Sequence, residues 1–169
     1  MLYWLHTHER NILMKKILIF SDTHGHTDPC IYLINNTPHV DAVIHAGDYT
    51  RDAEDLEYIF PELPIFYVKG NNDLLSRAPS ELTTIIGGAR IFITHGHEQR
   101  VKYDTSYSTL RTHAAKSNPA LVVFGHTHVP YTSYDGGFIT LNPGSVRFSK
   151  TYAIAEIDNG QIKTQILDI

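Results

Sequence analysis

Residues 16–25 of the chain read KILIFSDTHG, and this stretch decides the fold that the rest of the sequence predicts. Its first half, residues 16–20, is a short apolar run of the kind that forms a buried strand. Its second half turns polar at once and carries Asp22 and His24. Because alternate residues of an extended segment face the same way, we expect this Asp-x-His pair to present both side chains on one side.

The first half of the chain alternates strands with helices around this stretch. Apolar runs at 41–46 and 65–68 predict two more strands, and Thr-Asp-Pro at 27–29 predicts a helix start with proline in the first turn. A second helix is predicted over 50–60. Its inner side is expected to be formed by Leu56, Ile59 and Phe60. This alternation is typical of βαβ units with parallel strands.

The second half of the chain is predicted to consist mostly of hairpins. Gly-Gly at 87–88, Asp-Gly at 135–136 and Asp-Asn-Gly at 158–160 each stand between two strand-like runs. A helix is expected over 106–116 and a buried strand over 120–124. Two mixed β-sheets packed face to face, with helices outside, would satisfy both halves. We therefore predict an α/β (α+β) fold, a four-layer αββα sandwich.

Composition indicates one globular domain and excludes several classes of protein. The chain has 169 residues, 42% hydrophobic residues and a formal net charge of −4. Its one cysteine, Cys30, allows no intrachain disulfide and fits a reducing, cytoplasmic location. No apolar run approaches the roughly 20 residues that span a bilayer. We expect residues 14–169 to form the domain and residues 1–13, which do not read as a signal peptide, to be an extension outside it.

Polar residues with metal-binding chemistry follow five of the predicted strands. They lie at the strand ends where α/β sheets bind ligands, and glycines beside them permit sharp turns. Carboxylate, amide and imidazole groups suit hard or borderline divalent metals. Each short motif alone is weak, but the ordered set predicts one metal-binding cavity. The set comprises Asp22 and His24, Asp48, Asn71 and Asp73, His95 and His97, and His126 and His128.

The order Asp-x-His, Gly-Asp, Gly-Asn-x-Asp, His-Gly-His and Gly-His-x-His resembles the calcineurin-like metallophosphoesterase superfamily. The short length, the Ser-Asp-Thr-His-Gly opening and Asn-Pro-Gly-Ser at 142–145 resemble its small prokaryotic phosphodiesterase branch, the YfcE type. The resemblance runs from about residue 14 to the end of the chain.

This resemblance implies a two-sheet sandwich and a site for two divalent metal ions. Manganese is the preferred metal, with zinc, iron or nickel as alternatives. The two metals would lower the pKa of a water, and the resulting hydroxide would attack phosphorus in line. Asp48 would bridge the two metals. The remaining ligands would be Asp22, His24 and His128 for one metal, and Asn71, His95 and His126 for the other.

The sequence departs from much of the superfamily at Asn72, where a histidine commonly protonates the leaving group. An amide does not titrate, so Asn72 cannot be a general acid. Two explanations are open: His97 supplies the proton, or the enzyme favours esters, such as aryl esters, whose leaving groups need little protonation. His97 is equally interpreted as a residue that orients a ligand. We assign catalysis to Asp48, Asn71 and His97.

Other polar residues near the motifs have weaker interpretations. Asp73 is expected to orient its loop or a histidine rather than to bind metal, and His45 to be a packed core residue. Residues 98–111, with Tyr107 and Arg111, are interpreted as a substrate wall or as a solvated helix face. Arg147 is a possible phosphate contact. The histidines treated as solvated or incidental are His6, His8, His26, His39 and His113.

We therefore predict a metal-dependent phosphoesterase, and specifically a phosphodiesterase, acting on small phosphate esters. The alternative is a protein-binding scaffold on the same fold, like a retromer subunit with a degraded metal site, but all seven ligands are present here. A nuclease is disfavoured because the net charge of −4 provides no basic track for a long nucleic acid. No membrane partner is expected, and homo-oligomerisation is left open.

Overall fold

The computed structural model describes residues 14–169, so the extension predicted for residues 1–13, including His6 and His8, lies outside the described residues. Among residues 14–169, no helix is long and apolar enough to cross a membrane.

Two five-stranded mixed sheets form the centre of the described chain, in the orders β10-β9-β1-β2-β3 and β4-β5-β6-β8-β7. In the first sheet, β1, β2 and β3 run parallel, and β9 runs antiparallel to its two neighbours, β1 and β10. In the second sheet, β5, β6 and β8 run parallel while β4 and β7 close antiparallel hairpins at its edges. The strands are β1 Lys15–Phe20, β2 Ala42–His45, β3 Ile65–Tyr67, β4 Glu81–Ile86, β5 Ala89–Thr94, β6 Leu121–Val123, β7 Tyr131–Asp135, β8 Phe138–Asn142, β9 Thr151–Asp158 and β10 Gln161–Asp168.

Three helices flank the sheets: α1 Asp28–Asn36, α2 Thr50–Ile59 and α3 Ser108–Ala114, the last followed by a 3₁₀ turn over Ala115–Ser117. The side chains of β1 show how the layers are arranged. Ile17 and Ile19 pack into the apolar layer between the two sheets. Leu18 and Phe20 point the other way, into a layer that includes residues of α1 and α2. Because both faces of the strand are covered, residues 17–20 of β1 are all apolar rather than apolar at alternate positions.

The second sheet repeats this arrangement against α3. Ile91 of β5 packs between the sheets, whereas Phe92 packs with Leu110 of α3 on the outer face. The layers are therefore helices, sheet, sheet and helix, and the predicted αββα sandwich is confirmed.

The three predicted hairpins and the three helices are all present, with ends shifted by a few residues. One predicted core residue is wrong. Ile59 is 45% exposed, because α2 ends there and its buried side is formed by residues one and two turns earlier, such as Leu56. The predicted helix over 106–116 begins later, because Tyr107 adopts a left-handed backbone with φ 55° that no helix can contain.

Candidate metal centre

The motif residues lie in loops that follow the carboxyl ends of strands in both sheets. Parallel strands end at one edge of their sheet, so the loops after β1, β2 and β3 meet there, and the loops after β5 and β6 meet at the edge of the second sheet. The face-to-face packing of the sheets brings these loops together. All seven residues predicted as ligands lie in this one cluster.

Asp22 lies at the middle of the cluster and is fully buried. Its Oδ1 atom is 3.1 Å from Nε2 of His128, 3.9 Å from Nε2 of His95 and 4.0 Å from Nε2 of His24. Within the described residues this oxygen has no hydrogen-bond partner of good geometry. A buried carboxylate oxygen left unpaired is costly. Its environment of imidazole nitrogens is therefore better explained by a cation than by the protein alone.

Asp48 reaches histidines from both halves of the expected ligand set. Its Oδ2 is 3.0 Å from Nδ1 of His24, and its Oδ1 is 3.7 Å from Nε2 of His95. Both oxygens also accept from the amide of Asn72. Asp22 likewise belongs to both close groups of ligand atoms, one with His24 and His128 and one with Asp48 and His95.

The remaining ligand candidates gather around His95, which is fully buried. The ring contacts Ala46 O through Nδ1 at 2.8 Å, which leaves Nε2 directed at Oδ1 of Asn71, 3.1 Å away. The ring of His126 packs against His95 with 4.9 Å between centroids. A histidine held at one nitrogen by a backbone carbonyl presents the other nitrogen in a fixed direction, as metal-binding histidines do.

Five of the seven ligand positions have positive φ, which is uncommon for residues other than glycine. The values are 53° for Asp22, 46° for His24, 140° for Asp48, 69° for His126 and 60° for His128. Such conformations cost on the order of 1–3 kcal/mol each and persist where function requires them. The Asp-x-His pair does present both side chains to the cluster, as expected. The reason given for it, the alternation of an extended strand, is wrong. A left-handed turn, not an extended strand, directs both side chains into the cluster.

Gly125 is required where two of these loops touch. A Cβ at this position would lie 2.0 Å from Oγ of Ser21 and 2.8 Å from Oδ2 of Asp22. The absence of a side chain lets the backbone N–H of the next residue, His126, donate to Asp22 Oδ2 at 2.9 Å. The loops after β1 and β6 can thus approach only through glycine.

Buried hydrogen bonds hold the loops that carry the ligands. Asp52 accepts from the hydroxyl of Thr23 and, at 2.7 Å, from the backbone N–H of Gly25. The same hydroxyl contacts Nε2 of His45 at 3.0 Å. His45 is fully buried, as expected, but in a polar network rather than an apolar core. This network fixes Thr23 on the side opposite to its two ligand neighbours.

Asp73 orients its loop. It accepts from the backbone N–H of Gly70 at 2.8 Å and of Thr50 at 2.9 Å. It thereby ties the loop after β3 to the start of α2.

The electrostatics of the cluster favour ligand protonation states suited to a cation. Burial raises the pKa of Asp22, but contacts with His128, His95 and Ser21 outweigh it and hold the pKa below its ordinary value. Burial, helped by the charges of His95 and Lys102, lowers the pKa of His126 to about 4. At neutral pH the aspartate is thus ionised and this imidazole is neutral, as metal ligands must be.

His97 lies beside the cluster rather than in it. Its ring centroid is 5.5 Å from that of His95 and 6.1 Å from that of His126. Burial and the neighbouring charge of His95 lower the pKa of His97. Nδ1 is buried and has no hydrogen-bond partner in the part of the chain that the structure describes. The imidazole is therefore neutral at neutral pH and reaches the cluster from its rim.

Residues 98–111 fit the interpretation as a solvated face in part, because Arg100, Lys102 and Tyr103 are exposed, but Tyr107 departs from both interpretations. Tyr107 is only 8% exposed and packs against Phe124 and Tyr131 in the apolar layer under α3. Arg111 pairs with Asp135 at 2.9 Å, on the outer surface.

The remaining residues singled out in the sequence are not among the candidate ligands, and the phosphate contact predicted for Arg147 stays a prediction. Arg147, His26 and His39 are exposed. His113 pairs with Glu81 at 2.7 Å, and Glu81 lies opposite Thr94 at the carboxyl end of β5, next to the loop that carries His95.

Three contacts at the cluster were not predicted from the sequence. Asn72 contacts Asp48, and the rings of Tyr49 and Phe148 pack against His24 with centroids 5.5 and 5.0 Å away. Tyr49 directly follows Asp48, and this place in the sequence could have suggested that its ring lies beside the cluster. Phe148 follows the Asn-Pro-Gly-Ser turn, and only the folded chain brings it to His24.

The chemistry of the donors fits divalent metal ions. The ligand atoms of Asp22, His24 and His128 lie within 4.8 Å of one another, as do those of Asp22, Asp48 and His95. Carboxylate oxygens, an amide oxygen and imidazole nitrogens without thiols suit manganese, zinc, iron or nickel.

Comparison with known proteins gives matches over most of the chain. The family model of the calcineurin-like phosphoesterase superfamily domain matches residues 14–160. A probable metallophosphoesterase of Bacillus subtilis is 30% identical, over 90% of each chain. A phosphodiesterase of Methanocaldococcus jannaschii is 30% identical over 76% of this chain and 82% of its own.

Solved structures share the fold. A predicted phosphoesterase of Streptococcus pneumoniae aligns with a TM-score of 0.77 and 31% identity, covering 92% of this chain and 90% of its own. Vacuolar Protein Sorting 29 of Cryptosporidium parvum aligns with a TM-score of 0.70 over 92% of this chain and 98% of its own, but its 16% identity shows the fold alone.

Proposed function

Because the chain belongs to the calcineurin-like phosphoesterase superfamily, we propose that it is a metal-dependent phosphodiesterase that hydrolyses small phosphate esters at a site for two divalent cations. One observation carries this proposal. The Nε2 atoms of His24, His95 and His128 all lie within 4.0 Å of Asp22 Oδ1, a buried oxygen without a hydrogen-bond partner of good geometry among the described residues. The 30% identity to an archaeal phosphodiesterase supports the choice of diesters.

We assign the ligands by motif and by contact. Asp48 is the shared carboxylate, which is supported by its contacts to His24 on one side and His95 on the other. When bound, the two cations would supply Lewis-acid charge and activate a water for attack on phosphorus. Manganese is the preferred cation. The remaining ligands are Asp22, His24 and His128 for one cation, and Asn71, His95 and His126 for the other.

The chain's own residues hold this ligand set in place before any cation binds. Asp52 and Asp73 fix two loops through backbone N–H groups, and Ala46 O fixes the ring of His95. Preorganised ligands lose little freedom when the cation and substrate bind. Of the two roles considered for His97, its lowered pKa supports an orienting role over that of a general acid near neutral pH.

The alternative is a protein-binding scaffold. It is supported only by the likeness of fold to Vacuolar Protein Sorting 29. A complete and preorganised ligand set favours the enzyme.

The test is a metal-dependent screen. The protein is stripped with a chelator, reloaded with manganese, zinc, iron or nickel, and assayed on phosphomonoesters, phosphodiesters and cyclic nucleotides. We expect manganese to restore hydrolysis, with diesters preferred, and the Asp22→Asn variant to be inactive in the same preparation. Absence of turnover with every metal would contradict the proposal. Equal turnover in the variant would identify the activity as a contaminant.

A further inference from the structure

Two partly exposed aromatic rings border one half of the candidate metal centre. Tyr49 packs edge-on against His24, with 5.5 Å between ring centroids and an interplanar angle of 90°. Phe148 contacts the same imidazole at 5.0 Å and stacks on His128 at 4.9 Å and 13°. Tyr49 remains 38% exposed and Phe148 57% exposed. Single exposed aromatic residues are ordinary on protein surfaces. These two instead share one candidate ligand as their neighbour.

The other half of the centre has a different character. His97 lies next to His95 and His126 there. The centre is therefore bordered beside His24 and His128 by aromatic surface, with the guanidinium of Arg147 5.9 Å from the Phe148 ring centroid, and beside the second set of ligands by the imidazole of His97.

This asymmetry orients a phosphodiester. The leaving oxygen gains negative charge as its bond to phosphorus breaks, so it is better placed on the side of the polar imidazole of His97 than against the apolar rings. The ester group that stays on phosphorus then lies on the side of Tyr49 and Phe148. A planar aromatic group can pack on these rings, face to face or edge to face, and remove their surface from water.

We propose that Tyr49 and Phe148 form an aromatic subsite that selects phosphodiesters whose retained ester group is aromatic. The inference rests on the proposed phosphodiesterase function and adds the class of substrate. It differs from a preference for aryl leaving groups, because it concerns the group that does not leave.

The test uses diesters with one common leaving group, p-nitrophenolate, and a phenyl, cyclohexyl or methyl group on the retained side. The assays compare four manganese-loaded proteins: wild type, Phe148→Ala, Phe148→Tyr and Tyr49→Leu. Tyr134→Ala is the matched control, because Tyr134 is 76% exposed but pairs with Ile139 near the opposite end of the second sheet. The variant-to-wild-type ratio of kcat/KM, taken for each substrate, cancels differences in intrinsic reactivity.

We expect Phe148→Ala to lower kcat/KM for the phenyl substrate by about tenfold, mainly through KM, and to leave the methyl substrate nearly unchanged. In Phe148→Ala, kcat/KM for the cyclohexyl substrate should fall less than kcat/KM for the phenyl substrate. Tyr49→Leu should change these values in the same direction. Phe148→Tyr should have the wild-type kcat/KM for the phenyl substrate. An equal loss for phenyl and methyl substrates, together with weaker manganese binding, would mean that Phe148 only supports His128, and it would overturn the inference.

A binding measurement separates this inference from the proposed function. Titration calorimetry of phenylphosphonate and methylphosphonate into the manganese-loaded protein requires no turnover. We expect wild type to favour phenylphosphonate and Phe148→Ala to lose that preference, whereas equal binding by wild type overturns the subsite. Turnover of the methyl diester by wild type tests the proposed function by itself.

Discussion

The side-chain amide of Asn72 donates to both carboxylate oxygens of Asp48, with Nδ2–Oδ1 and Nδ2–Oδ2 distances of 2.9 and 2.7 Å. A carboxylate only accepts, so the amide nitrogen must face it. At this position much of the superfamily that the sequence resembles has a histidine that protonates the leaving group. Asn72 therefore holds the expected bridging carboxylate but supplies no proton.

The first prediction concerns the leaving group. Without an acid at position 72, the rate should depend strongly on how well the leaving group carries negative charge, so aryl leaving groups should depart much faster than alkyl ones. Asn72→His should help alkyl esters more than aryl esters, by up to about 10²–10⁴-fold. The measurement is kcat across a series of leaving groups with one retained group. A flat dependence, with hydrolysis shown to be rate-limiting, would reveal an acid elsewhere.

The second prediction separates the two roles of His97. If His97 orients a ligand, His97→Ala should lower turnover of aryl and alkyl esters together and weaken metal binding, by about 10–100-fold. If it is the general acid, turnover of alkyl esters should fall while turnover of aryl esters is retained, and the acid limb of the pH–rate profile should disappear. We expect the first pattern, because burial lowers the pKa of His97. The His39→Ala variant is the control, since that histidine is exposed and precedes β2, at the end of the strand opposite the ligand loops.

The third prediction tests the shared carboxylate. Asp48→Asn keeps the shape of the side chain but removes the charge that both cations would share. We expect loss of the second cation and a fall in turnover of at least about 10³-fold, since metal ions contribute several kcal/mol, with an unchanged circular dichroism spectrum. Asp135→Asn, at an exposed ion pair, should have no effect. Wild-type activity of Asp48→Asn at saturating manganese would show that the two cations do not share this carboxylate.

The fourth prediction concerns the pH dependence of the stability of the metal-free protein. Burial lowers the pKa of His126 from 6.5 to about 4. The unfolded chain therefore binds this proton first, and the free energy of unfolding should decrease as pH falls from 6.5 to 4. Solvent screening keeps the slope from this group below about 1.4 kcal/mol per pH unit.

His126→Gln should make that slope shallower, measured by urea unfolding with a chelator present. Asp22 does not interfere, because its pKa is held below 3.8 and its contribution is lost only at lower pH. The pH dependence of stability that remains in the variant is attributed to other buried histidines. His45 is one of them, because burial also lowers its pKa. An identical slope in the variant would mean that His126 is not desolvated in the folded protein.

The layers and the ligand loops could be predicted from the sequence because both depend on local signals. Apolar runs such as residues 16–20 mark strands buried on both faces, and Gly-Gly or Asp-Gly pairs mark hairpins. Ligand-type residues directly after such strands must lie at a common sheet edge. The arrangement of side chains around Asp22 then follows from topology.

What could not be predicted depends on contacts between distant residues. Phe148 and His24 are 124 positions apart in the chain and meet only because β9 pairs with β1. Tyr107 looks like a surface residue in sequence, yet a left-handed turn directs it into the core. The positive φ values of the ligand residues are likewise invisible, since these residues are aspartates and histidines rather than glycines.

The central claim is that one cluster of seven side chains binds two divalent cations. The most direct measurement is anomalous diffraction from a crystal of the protein grown with manganese. We expect two anomalous peaks on either side of the Asp48 carboxylate, one in contact with Asp22, His24 and His128 and the other with Asn71, His95 and His126. A single peak, or peaks that leave two or more of these side chains without contact to a cation, would contradict the claim.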